Sequence, residues 1–260
     1  MIDASVVIIC GVAFGASLLT FFSGFGLGTL LLPAFAAFFP AEVAVALTAV
    51  VHLLNSLFKL TLVGRHANLR IAVRFGVPAI GAAFAGALVL AWLAGREPLW
   101  TYELGGRALR VMPVAFVVAL LMLGFAALEL WPRFKRLAIP PRYLPLGGIL
   151  TGFFGGLSGH QGALRSAFLI RTGLDKEAFI GTGVAVAAAV DVTRLAVYSE
   201  RFFAADLAPH GALLAAAALA AFAGAFAGNR LLRKISLHSI EVGVAVLLVL
   251  VALCLGSGLL

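Results

Sequence analysis

Charge is scarce in this sequence. Lys and Arg (19) with Asp and Glu (11) make up only 12% of the 260 residues, about half the share of a soluble domain. Apolar residues take their place, at 63% of the chain and a mean hydropathy of +1.11. They come in runs long enough to cross a bilayer, which takes ~20 residues per helix, and this excludes a soluble globular fold. The apolar–polar alternation of a membrane barrel is missing, so the spans are expected to be helices that satisfy their own backbone hydrogen bonds. Cysteine is nearly absent. Cys10 and Cys254 lie in apolar runs at opposite ends of the chain, with neither metal-ligand nor disulfide spacing, and read as small inert hydrophobes. Catalytic templates are missing as well: there is no phosphate-loop GKS/T, no HExxH and no Cys–His metal spacing. Ser158, His160 and Asp191 could be combined as a triad, but no Gly-x-Ser-x-Gly elbow presents the serine. No enzyme activity, metal or cofactor is expected. Met1-Ile2-Asp3 lacks the positive flank of a signal peptide, so the first apolar run is expected to be retained, and no lipidation motif is present.

What charge there is leans positive, +8 overall. Nucleic acid is not the expected partner, because no basic stretch carries interleaved aromatics on a soluble surface. In a membrane chain Lys and Arg gather instead in cytoplasmic loops.

Breaks at Gly, Pro and charge clusters divide the chain into ten helical elements. They run about 4–22, 26–39, 41–63, 70–94 and 108–130, then about 143–156, 160–172, 175–199, 206–231 and 237–257. A short basic connector from Trp131 to Arg142 separates two halves, residues 1–132 and 140–260. The halves share an order of features. A Gly-rich break opens at Phe21-Phe22-Ser23-Gly24 and again at Phe153-Phe154-Gly155-Gly156. A helix then starts near an acid, Glu42 or Glu177, and ends near a basic turn, Arg65 or Arg201. Later elements carry small residues at close spacing, Gly81 to Gly86 and Gly224 to Gly228, which let membrane helices pack closely. The common order implies one all-α polytopic unit built from two repeats of about five elements, the first two of each half forming a Gly-broken hairpin.

Charge then chooses the topology. If each hairpin returns to the side it started from, one side holds Arg65, Arg70, Arg74, Arg133, Lys135, Arg136, Arg142, Arg171, Lys176, Arg230, Arg233 and Lys234. The other holds Arg96, Arg107, Arg110 and Arg201, with Arg194 if it reaches that surface, while Lys59 and Arg165 stay inside the membrane. Reading each broken pair as one continuous span divides the basic residues almost evenly, so only the hairpin arrangement obeys the positive-inside rule. An odd number of elements per half inverts one half relative to the other, as in many secondary transporters. Both termini are then expected on the non-cytoplasmic side.

The two Gly-rich breaks are the strongest site candidates. A helix that restarts at membrane depth presents free N–H groups and its positive dipole end, a ready anion site. Gly26, Gly28 and Thr29 occupy the first break; Gly159, His160 and Gln161 occupy the second, with Arg165 at i, i+4 from Gln161. Polar groups in so apolar a segment are costly unless they face a cavity or a partner. Two clusters lie on later spans: His52, Asn55, Ser56 and Lys59 on one helical stripe, and Thr182, Asp191 and Arg194 in the second half. Asp191 and Arg194 at i, i+3 can pair, and His52 or His160 could carry a coupling proton. The structural alternatives are that the glycines only allow close packing, that Asp191–Arg194 is a structural ion pair, and that Lys59 and Arg165 snorkel to the surface.

The run Gly152-Phe153-Phe154-Gly155-Gly156-Leu157-Ser158-Gly159-His160-Gln161-Gly162-Ala163-Leu164-Arg165-Ser166-Ala167-Phe168-Leu169 resembles the second-repeat motif of the TauE/SafE sulfite-exporter family. Gly173-Leu174-Asp175-Lys176-Glu177-Ala178-Phe179-Ile180-Gly181-Thr182-Gly183 and Asp191-Val192-Thr193-Arg194 are similar to it too. The first-half counterpart, Gly24 to Pro33, departs from the family's tighter glycine triplet. The resemblance implies a permease for small sulfur-containing anions, such as sulfite or organosulfonates, in a bacterial inner membrane. In that reading the helix ends bind the anion, Lys59, Arg165 and Arg194 supply positive charge, and Asn55, Gln161 and Thr182 donate hydrogen bonds. The implied partners are an anionic substrate and the lipid bilayer, with room for a coupling proton or sodium ion. An anion channel and a non-transporting membrane scaffold are the alternatives.

Overall fold

The computed structural model describes residues 4–23, 27–131, 133, 137, 139–202, 208–231 and 238–260. Among these are ten α-helices: α1 (Ala4–Ser23), α2 (Leu27–Ala36), α3 (Ala41–Val63), α4 (Leu69–Leu93), α5 (Pro113–Leu130), α6 (Leu144–Ser158), α7 (Gly162–Leu169), α8 (Lys176–Phe202), α9 (Gly211–Leu231) and α10 (His238–Gly256). Four of them, α3, α4, α8 and α9, are long and apolar enough along their described lengths to cross a membrane. These are the third and fourth elements of each half.

Local signals set the ends. Asn68 accepts from the Ile71 N–H at 3.1 Å and starts α4, and Asp175 accepts from the Ala178 N–H at 2.7 Å ahead of α8, each side chain meeting an otherwise orphaned donor. Gly159, at φ +85°, ends α6. That left-handed position suits only glycine without strain.

One expected element differs. Residues 107–111, expected within the helix 108–130, instead form strand β2 (Arg107–Val111), paired antiparallel with β1 (Trp100–Leu104). Gly105 (φ +59°) and Gly106 (φ +78°) make the two-residue turn between them, the conformation that a tight hairpin demands. The helix α5 starts only at Pro113, whose fixed φ and missing N–H suit a first helical position.

The hairpin elements are short. At 1.5 Å per residue, α7 is about 12 Å long and α2 about 15 Å, half the ~30 Å of a hydrocarbon core. The Ile139 N–H donates to the Ala167 carbonyl at 3.2 Å, so the chain leaving α7 lies beside the chain entering α6. The second hairpin therefore dips into the fold and returns to the end it left, with residues 157–162 buried at its tip.

Contacts between loops divide the molecule into two ends. At one end Thr182, early in α8, accepts from the Asn68 N–H of the α3–α4 turn at 2.8 Å; the segments around 139–143 and 170–175 lie at this end. At the other end Phe39 meets the ring of His210, with centroids 4.8 Å apart. There Tyr102 of the strand pair donates to the Ser257 carbonyl at 2.6 Å.

Helix packing is reciprocal. The fourth helix of the first half, α4, packs on the first of the second half, α6, and α1 packs on α9 in the same sense. The helices α3 and α8 also meet, as do α5 and α10. Glycines set the closest approach. A Cβ at Gly148, Gly152 or Gly156 would fall on the Phe75, Ala79 or Ala83 carbonyl, and one at Gly224 on the Phe14 carbonyl. Spacing of four places the three α6 glycines on one face, where backbone meets backbone. Of the small residues singled out above, Gly86 is used in the same way, against Phe153, whereas Gly81 faces open space.

Candidate functional site

The deepest polar groups lie where the two halves meet. On α3, His52, Asn55, Ser56 and Lys59 are all buried, and on α8 Asp191 and Arg194 are fully buried. His52 Nδ1 contacts Asp191 Oδ2, so a single carboxylate joins the two halves. Arg194 Nε donates to Asp191 Oδ1 at 3.0 Å, and its Nη2 approaches the same oxygen at 2.8 Å. Gln161, at the foot of α7, donates from Nε2 to Asp191 Oδ1 at 3.4 Å. Arg165, one turn along, donates from Nη1 to Gln161 Oε1 at 3.2 Å.

The two breaks come together here. A Cβ at Gly28 would lie 3.1 Å from the Gly159 carbonyl and 3.8 Å from His52. One at Gly159 would lie 2.7 Å from Arg194 Nη1, so the missing side chain of Gly159 is what admits the guanidinium. Glycine therefore allows the close helix packing considered from sequence along α6, and at Gly159 it also makes room for a cation, a use the sequence reading did not consider.

A second polar string runs along the first half. Lys59 Nζ donates to Thr20 Oγ1 at 3.3 Å, Thr20 donates to the Ser17 carbonyl at 3.5 Å, and Ser17 donates to Asn55 Oδ1 at 2.9 Å. Lys59 is 6% exposed, so its ammonium is held inside rather than snorkelled. Arg165 is partly buried and tied to Gln161, and does not snorkel either. Arg194, at 0% exposure, does not reach the surface allowed for it above.

Other expected residues sit as follows. His160 stacks on Phe125, with centroids 5.2 Å apart, and its Nδ1 lies 3.0 Å from Ser158 Oγ. Asp191 is turned to His52 and Arg194, so these contacts link Ser158, His160 and Asp191 into no relay. Thr29 is buried in α2. Thr182 is not brought to the cluster: it accepts from Asn68, nine residues or about 13 Å along α8 from Asp191. Gly26 lies outside the described residues. Ser17, Thr20 and Tyr198 were not expected here. Tyr198 donates to the Gly156 carbonyl; its place four residues after Arg194 was the signal, since i, i+4 residues share a helix face. A single hydroxyl within an apolar helix gives no comparable signal for Ser17 or Thr20.

The electrostatics are lopsided. Asp191 is the only acidic residue buried among the described residues, against Lys59, Arg194 and the partly buried Arg165. Among the described residues, Arg194 Nη1 and His160 Nε2 are buried with no hydrogen-bond partner. An unpaired donor at such depth is costly, and excess positive charge in a low-dielectric interior favours an anion. No cluster of metal-ligating side chains is found among the described residues.

No curated protein and no solved structure matches the chain. A family model does: that of the sulfite exporter TauE/SafE, over residues 9–255. The match takes in both hairpins and every helix contributing to the buried cluster, and the chain belongs to the sulfite exporter TauE/SafE family.

Proposed function

We propose that this protein is a secondary carrier that moves a small sulfur oxyanion, such as sulfite or an organosulfonate, across a bacterial inner membrane by alternating access. The observation that carries the reading is the buried cluster itself: an excess of cations, with an Arg194 Nη1 donor that meets no acceptor among the described residues. Arg194, Gln161 and His160 bind the anion beside Gly159 and Gly28; Lys59 and Arg165 add positive charge, and Asp191 orients Arg194. The first turn of α7 adds its dipole. His52, bonded to Asp191 across the halves, is suited to couple a proton to the movement.

The halves 1–132 and 140–260 form an inverted repeat in this reading. The reciprocal packing of α4 on α6 and of α1 on α9 supports it, since a two-fold relation exchanges those pairs. The end carrying Arg65, Arg70, Arg74, Arg142 and Arg171 is cytoplasmic by the positive-inside rule, and the termini face the other side. Gln161, Asp191 and Arg194 are sealed from solvent, which suits a carrier that closes around its cargo.

Uptake of radiolabelled sulfite into proteoliposomes tests the reading. Gln161→Ala and Arg194→Ala are each expected to lower the rate by about tenfold or more, the size of one lost charge-assisted hydrogen bond. Unchanged transport in both overturns the assignment. A thermal-shift panel of sulfite, sulfate, thiosulfate and sulfonates identifies the cargo, because a ligand stabilises the state it binds by mass action.

A further inference from the structure

The cationic side chains are not gathered at one point. Gly181 lies against the Val63 carbonyl and Asp191 against His52, so α3 and α8 run antiparallel, and ten residues of one match about eleven of the other. In that register Lys59 faces α8 near residue 184. Arg165 reaches the same level, because a Cβ at Gly183 would lie 3.3 Å from its Nε. Lys59 and Arg165 therefore stand at one level of the seam. Arg194 leaves α8 eleven residues beyond Gly183, and its guanidinium turns back onto Asp191 Oδ1. His52 meets the same carboxylate, and Gln161 is bonded to both Asp191 and Arg165.

We infer that the seam between the halves holds two anion stations in series. This rests on the carrier reading given above. One station, toward the α3–α4 turn, is built from Lys59 and Arg165 with the Thr20 hydroxyl. The other, at the Gly159 break, is built on Arg194. Two cations brought together in a buried region repel, and an oxyanion with several acceptor oxygens relieves that repulsion as no neutral ligand can. At the Gly159 break the need is different, since Arg194 Nη1 is a buried donor with no acceptor among the described residues.

The Asp191 carboxylate separates the stations. A passing anion meets a like charge there, so handover requires the His52–Asp191 contact to shift. That contact joins α3 of one half to α8 of the other. Handover and the relative movement of the halves are thereby the same event. Gln161 can turn its amide from one station to the other, because an amide offers a donor and an acceptor on one rotor.

Equilibrium binding of radiolabelled sulfite to the full chain in nanodiscs decides it. Two anions per chain are expected at saturation. The double substitution Lys59→Gln and Arg165→Gln should remove one component and leave the other within about threefold, and Arg194→Gln should do the reverse. Both variants are first checked for a cooperative melt. Saturation of the wild-type chain at one anion overturns the two-station arrangement while leaving the carrier reading intact, and needs no variant to fold. Loss of both components in each folded variant also overturns it. Absence of sulfite binding and of stabilisation by every anion in the panel overturns both readings.

Discussion

Asp191 is a single carboxylate that answers to His52, Gln161 and Arg194 at once. Removing one partner of a buried ion pair leaves the other uncompensated, at a cost of about 3–5 kcal/mol. Arg194→Ala is therefore expected to lower the melting temperature in detergent markedly. The double substitution Asp191→Asn with Arg194→Gln should recover much of that stability and none of the sulfite transport. Equal stability of the single and double variants would count against the pair as drawn. Gly159 makes a second test. Its φ of +85° disfavours any side chain by about 1–2 kcal/mol, and the added Cβ would press on Arg194 Nη1. Gly159→Ala should lower transport by more than its stability loss explains, read as sulfite uptake normalised to folded protein. His52, Gln161, Arg165, Asp191 and Arg194 stood out in the sequence because charged or amide groups are rare at membrane depth. Thr182, grouped with Asp191 and Arg194 as a polar residue of the same span, instead secures the α3–α4 turn, because a hydroxyl is equally useful wherever a backbone N–H lacks a partner.

Elements are held apart or together by the presence of a Cβ. Gly148, Gly152 and Gly156 on α6 let α4 approach until its carbonyls touch the α6 backbone. Gly152→Val is expected to abolish the folded protein, since the side chain would occupy the place of the Ala79 carbonyl. Gly81→Ala, with nothing within 4 Å, should change the melting temperature negligibly, as surface substitutions do within about 0.5 kcal/mol. A monodisperse gel-filtration peak for Gly81→Ala and its loss for Gly152→Val is the check. The strand pair at 100–111 shows what a helical expectation can hide. Its alternating residues and Gly105-Gly106 turn were visible in the sequence, yet the surrounding apolar background suggested a helix beginning at 108.

At the scale of the whole molecule the loops gather at two ends. A cysteine placed at Arg65 and one placed at Gly106 belong to opposite ends, the first beside the Thr182–Asn68 contact and the second in the hairpin anchored to Ser257. In intact cells an impermeant maleimide should label Gly106→Cys and spare Arg65→Cys until the membrane is opened. Labelling of both in intact cells would break the two-ended arrangement. A C-terminal reporter active only in the cytoplasm should stay silent.

The helical membrane class, the ten-helix count and the breaks near Gly28 and Gly159 could be read from the sequence alone, because run length, hydropathy and helix-breaking residues act locally along the chain. The pairing of His52 with Asp191, 139 positions apart, could not. Nor could the approach of Gly28 to the Gly159 carbonyl, or the separation of Lys59 from Arg194 along one seam. These depend on how far helices slide and cross when glycine faces interlock, and side chains remote in the chain acquire a distance only once that packing is complete. The sequence determined that buried charge must find partners; the tertiary structure decided which partners, and left Arg194 Nη1 without one among the described residues.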